Sequence, residues 1–123
     1  MRALVPLILM LAAAPAAAAP PLAALSDWRP GLWQARPQAG GAAGAPQCLS
    51  NPDPMLTGGG AGCQFTVIED EGESAVVTWR CPGRSGRTSL RRDAEHLYSV
   101  HVQGLAGGRP FGHRAEWRRT GDC

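Results

Sequence analysis

The sequence predicts an all-β domain, an antiparallel meander of about six strands that forms a curved sheet or a small barrel and is stapled by two disulfides. Three observations predict it. Segments of alternating apolar and polar residues recur through the second half of the chain, at 63–68, 74–81, 87–92, 95–104 and 111–119. The connections between them are short and rich in Gly and Pro, and links that short join only antiparallel neighbours. Four cysteines, Cys48, Cys63, Cys81 and Cys123, follow a segment patterned like an export signal. An even cysteine count in an oxidising compartment reads as a disulfide framework.

The start of the chain sets the compartment. Arg2 precedes an apolar run over residues 3–13, and an Ala-rich tract with A-x-A boxes follows. Cleavage is expected after Ala18, because a cut after Ala19 would place Pro20 at the scissile bond. The apolar run is far shorter than the ~20 residues of a membrane-spanning helix, and no later segment qualifies, so the mature chain is expected to lack a transmembrane segment. The expected organisation is a signal over 1–18, a flexible leader over 19–27 and a single domain over 28–123, placed in the periplasm or the medium. A core drawn from so short a chain is modest, which makes crosslinks matter. All 12 basic residues are arginine, and the formal charge is only +2. Such a mild charge gives no electrostatic argument for a nucleic-acid partner, and none is expected.

Along the mature chain, Pro30 leads into a strand over 31–36. Residues 38–46 are Gly/Ala-rich without apolar period and read as a flexible loop. Residues 49–62 are expected to be irregular, since Asn51-Pro52-Asp53-Pro54 and Gly58-Gly59-Gly60 interrupt any regular element. The strands 63–68 and 74–81 flank an acidic turn with Gly72 at the left-handed position. A turn at Asp93-Ala94 is expected to separate 87–92 from 95–104, whose His96, Tyr98, Val100 and Val102 share a face. Residues 104–109 then turn into the last strand, with His113, Ala115 and Trp117 on one side.

Four cysteines allow three pairings. If the acidic hairpin centres on Gly72, Cys63 and Cys81 are equidistant from the turn and become cross-strand neighbours. Cys48 then joins Cys123. Loop-closure estimates assign about 3 kcal/mol to the shorter bridge and a little over 4 kcal/mol to the longer. A zinc site is the competing reading, but no Cys-x-x-Cys pair is present. The ordered set Pro30-Gly31-Leu32-Trp33, Cys48-Leu49, Cys63, Val77-Thr78-Trp79-Arg80-Cys81 and Gly121-Asp122-Cys123 resembles the domain of unknown function 3617 family of small exported proteobacterial proteins. The resemblance runs from about Trp28 to Cys123. It implies export and a compact β domain and brings no established activity. In the later strands, where that family is usually rich in Met and Thr, this chain carries Arg, His and Val.

Candidate chemistry is sparse. His96, His101 and His113 fail as a three-histidine metal site on strand parity, with His113 expected opposite Val100 and His101 on the other side. The acidic turn Glu69-Asp70-Glu71 with Glu73 lacks the alternating ligands of a calcium loop. Ser74, Ser85, Ser89 and Ser99 stand outside any nucleophile-elbow motif, and bridged cysteines leave no free thiol. No cofactor is implied and no enzyme is expected. Trp28, Trp33, Tyr98 and Trp117 form the candidate ligand or contact surface, with core filling as the competing reading and Trp28 the most exposed in prospect. Arg84, Arg87, Arg91 and Arg92, with Arg118 and Arg119, suggest an anion-binding surface, against which stands the reading of solvated, edge-protecting charges. The expected function is a non-catalytic binding or envelope-associated module whose partner is an envelope component. The alternative is a carrier of a small apolar ligand, resembling lipocalins or avidin, which needs a closed barrel with an apolar cavity.

Overall fold

Seven strands form one antiparallel sheet in the computed structural model, which describes residues 21–123; the export-like segment 1–18 lies outside them. In chain order the elements are a 3-10 turn at Ala23–Leu25, β1 Gly31–Pro37, β2 Gln47–Leu49, α1 Asp53–Thr57, β3 Gln64–Glu71, β4 Ser74–Cys81, β5 Arg84–Ala94, β6 Leu97–Ala106 and β7 Arg109–Gly121. The spatial order is β2-β1-β7-β6-β5-β4-β3. Strands β3 to β7 make a continuous meander, as the short connections require. The first strand then docks on the last, with Gln34 opposite Arg118 and Ala35 opposite Trp117. The sheet nevertheless does not close. β2 and β3 remain as its two free edges, so the barrel alternative gives way to an open sheet.

Both predicted disulfides are formed. Cys63 bridges Cys81 with Cα atoms 4.1 Å apart, and Cys48 bridges Cys123 at 5.6 Å. The register behind the first differs from the simple hairpin. The turn is Gly72-Glu73, with Glu71 opposite Ser74, and Gly72 takes the left-handed φ of 63° that glycine tolerates. That turn alone would set Cys81 against Gln64. A β-bulge at Ile68 absorbs one residue, so that Val67 meets Val77, Gln64 meets Arg80, and the two cysteines fall opposite each other. A second bulge, at Asp93, moves the β5–β6 turn to Glu95-His96 in place of the expected Asp93-Ala94. His96 carries a φ of 58° there, in a region that histidine enters more readily than most residues. The β6–β7 turn is Gly107-Gly108, both at positive φ, which puts His113 opposite Val102 and not Val100.

Strand parity divides the sheet into unlike faces. One face carries Trp33, Ala75, Val77, Trp79, Thr88, Leu90, Tyr98, Val100, Val102, Ala115 and Trp117, all buried. Two segments cover it. The first is residues 22–28, which pack on the sheet where the sequence reads as a flexible leader. Leu22 and Ala24 are buried, and Asp27 takes hydrogen bonds from Arg92 Nη2 at 2.6 Å and from the Tyr98 hydroxyl at 3.2 Å. Ordering so few residues succeeds because two apolar side chains and one ion pair anchor them together.

The second cover is the segment 49–62, which contains a helical turn where irregular chain is expected. Pro54 sits in the first turn, where its missing N–H leaves nothing unsatisfied, and Gly58 ends the element at φ 67°. Met55 and Leu56 are thereby pressed onto the sheet. The Arg84 guanidinium donates to the Thr57 carbonyl at 3.2 Å and lies 5.0 Å from the Phe111 ring centre, closing the C-terminal end of α1.

Candidate functional site: the uncovered sheet face

Among the described residues, only the loop 38–46 borders the opposite face, at Gln34 and Arg36, and the rest of that face is uncovered. The residues that alternate with the core project there, and the register arranges them in rows across the strands. Gln34, Arg118 and Leu97 share one row. Arg36, Glu116, Ser99, Arg91 and Ser74 form the next. Arg114, His101, Ser89, Val76 and Glu69 follow, then Gly112, Gln103, Arg87, Thr78 and Thr66. Pro110, Leu105, Ser85, Arg80 and Gln64 complete the set. Side chains of Ser, Thr and Gln make most of the floor, with Val76, Leu97 and Leu105 among them, and arginines stand above it. No Trp, Tyr or Phe belongs to these rows; every one in the described residues that lies on a strand packs on the other side.

Shallow, open hollows mark the face. A hollow of about 320 Å³ lies among Gln38, Ser89, Arg91, Ser99, His101 and Arg114. Others of about 640 Å³ and 530 Å³ adjoin Arg87 and Gln103 on one side and Arg80 and Thr78 on the other. A fourth, of about 280 Å³, lies between Arg36, Glu116, Arg118 and the loop residue Ala43.

Its charges are unevenly balanced. Arg91 Nε reaches Asp93 at 2.6 Å, and Ser99 donates its hydroxyl to the same carboxylate. Although burial raises the Asp93 pKa, the Ser99 and Arg91 contacts outweigh it and hold the carboxyl below the usual range. Arg118 has Glu116 at 3.8 Å. His101 is pushed below the ordinary histidine value, first by desolvation and then by electrostatic repulsion, chiefly from Arg114. Gln103 Nε2 lies 2.8 Å from its Nε2.

The predicted contact aromatics are elsewhere. Trp33, Tyr98 and Trp117 are buried in the core, so they line no surface. Trp28 is half-buried, stacked on Trp33 at 5.4 Å between ring centres and donating its indole N–H to Met55 Sδ at 3.3 Å. The physical reason is the extra cover. Residues 22–28 and α1 both lie over the aromatic cluster, and strand parity alone does not reveal them.

The histidines do not converge. His101 is on the uncovered face, His113 is on the covered side near Gly58, and His96 is in the β5–β6 turn. Within the acidic turn, Asp70 accepts the Ala23 backbone N–H at 3.0 Å and so pins the N-terminal segment.

Of the arginines grouped from sequence, Arg84 and Arg92 point to the covered side. Arg119 donates to the Pro30 carbonyl from Nε and Nη2. Only Arg87, Arg91 and Arg118 reach the open face, where Arg36, Arg80 and Arg114 join them. Counting parity outward from each buried valine or tryptophan is the signal that separates the two groups. The chain matches no family model, no curated protein and no solved structure.

Proposed function

We propose that this protein is an exported, non-catalytic binding module of the cell envelope, and that the uncovered sheet face is its working surface. One observation carries the reading. Among the described residues, 22–28 and 49–62 both cover one face, whereas the other, mostly polar and marked by shallow hollows, is bordered only by the loop 38–46 and lies open across β7, β6, β5 and β4. Two disulfides suit an oxidising compartment, and the resemblance of the cysteine and Trp pattern to a family of exported domains points the same way. The carrier alternative needs an enclosed interior. Here the sheet is open, and Trp33, Tyr98, Val100 and Val102 fill the space that a ligand would take.

The test is fractionation of cells expressing the full chain, with an internal epitope in the exposed loop 39–45. The protein is expected in the osmotic-shock or envelope fraction, beginning near Ala19, with no free thiol. Recovery from the cytosol with an intact N-terminus and reduced cysteines would reject the reading.

A further inference from the structure

We propose that the uncovered face binds an anionic polysaccharide, laid along a diagonal line of four arginines: Arg36, Arg114, Arg87 and Arg80. The inference rests on the reading above that this face is the working surface, and it names the ligand class. The line follows from register. Arg36 on β1 is opposite Glu116, and Arg114 lies two residues earlier on the neighbouring β7. Arg114 is level with His101 and Ser89, and Arg87 lies two residues before Ser89 on β5. Arg87 is level with Thr78, and Arg80 lies two residues further along β4. Each step thus moves one row along the strands while crossing the sheet. With strands ~4.8 Å apart and ~3.4 Å per residue, the four Cα positions span roughly 30 Å.

All four side chains are exposed. Among the described residues, none of the four has a carboxylate within ion-pair distance. The acids of this face stand off the line or are engaged. Glu69 and Glu71 occupy the corner beside the β3–β4 turn, Asp93 is held by Arg91, and Glu116 turns to Arg118. Between the arginines the floor consists of His101, Ser89, Gln103, Thr78 and Ser85, which offer donors and acceptors to hydroxyl groups. Guanidinium forks suit carboxylate, sulfate or phosphate groups recurring along a chain.

Two other polyanions fit less well. A single-stranded nucleic acid needs aromatic platforms for its bases, and these rows hold none. An anionic bilayer offers its charge as a diffuse surface potential, which calls for no ordered line of guanidinium forks and no row of Ser, Thr and Gln side chains between them. A flexible hydroxylated chain reaches both.

The test uses the full chain, exported and purified in its oxidised form. Binding of dextran sulfate and of polygalacturonate is measured by calorimetry against neutral dextran, phosphatidylglycerol vesicles and an oligothymidylate. At least one charged polysaccharide is expected to bind more tightly than the other probes, with affinity falling as salt rises. The double variant Arg87→Glu/Arg114→Glu should weaken that binding about tenfold or more, whereas Arg29→Glu, exposed but off the sheet, should change it less than about twofold. Near-ultraviolet circular dichroism checks that the surface variants keep the fold.

Binding of neither polysaccharide would overturn the proposal, as would an equal loss in Arg29→Glu or tighter binding to vesicles or oligonucleotide. If neither polysaccharide binds but the double variant still escapes the envelope fraction, the ligand class is wrong and the binding-module reading stands. If neither polysaccharide binds and the unaltered chain is recovered from the cytosol with reduced cysteines, both fall.

Discussion

Thr88 carries a disproportionate share of the polar order inside this domain. It is fully buried, accepts the Trp79 indole N–H at 3.0 Å, and donates its hydroxyl to the Leu56 carbonyl. One hydroxyl therefore satisfies a core tryptophan and fastens the covering segment to the sheet. Thr88→Val keeps the shape but strands two buried polar groups, and is expected to lower stability by about 2–3 kcal/mol. Thr88→Ser should lose less, because the hydroxyl remains. Chemical denaturation of both variants checks this, and a near-neutral valine variant would contradict it.

Asp27 gives a second residue-level test. Hydrogen bonds from Arg92, opposed by partial desolvation and aided by Tyr98, hold its carboxyl below the ordinary aspartate range. Burial and the same carboxylate raise the Tyr98 hydroxyl well above the tyrosine range, so that tyrosine remains a donor. Since the folded state binds the Asp27 proton more weakly than the unfolded chain, the stabilisation is complete above about pH 4 and lost as pH falls through the folded value. Asp27→Asn should therefore flatten the fall in stability below about pH 4. An unchanged acid limb would show that the N-terminal segment is not held by this pair.

Among the elements, the two bulges decide which side chains meet. Ile68 is nearly half exposed and takes no regular partner, so the ladder passes over it and Cys63 falls level with Cys81. Deleting Ile68 would leave Val67 and Glu69 adjacent in an unbroken ladder with the same cysteines opposed. The deletion is expected to preserve the disulfide map by non-reducing peptide mapping, and scrambled pairing would refute the bulge's role.

This locates what sequence reading can reach. Alternation placed β4 in full and located the other long strands to within a few residues, because period-2 burial is written directly in residues such as Ala75, Val77 and Trp79. Bulges are invisible to that reading, since an extra residue such as Asp93 looks like part of a turn. The helical turn at Asp53–Thr57 was hidden for a related reason. Its Pro and Gly residues are start and stop signals for a very short helix, and they equally describe a loop. The open face was half legible. Its small polar floor follows from parity, but separating its arginines from Arg84, Arg92 and Arg119 required knowing what covers the other side.

At the scale of the whole molecule, the two bridges do different work. Cys63 and Cys81 are buried, and Gly60 passes so close that an added Cβ would lie 2.7 Å from Cys81 Sγ. Cys48 and Cys123 are exposed, and they tie the short edge strand β2 to the chain end across 75 residues of sequence. Access to the attacking thiolate limits exchange, so graded reductant with alkylation should open Cys48–Cys123 first. Cys123→Ser should lower stability by about 2–5 kcal/mol while leaving the inner bridge formed. Simultaneous loss of both bridges would contradict this division.

The asymmetry of the sheet underlies the functional account, and amide chemical-shift mapping tests it. Titrating the labelled, oxidised protein with dextran sulfate should move resonances along the arginine diagonal, around Arg36, Arg80, Arg87, His101 and Arg114. Residues of the covered face, such as Leu56, Val77 and Val100, should stay in place. Shifts centred on Trp28, α1 and the N-terminal segment, with the open face silent, would contradict the account.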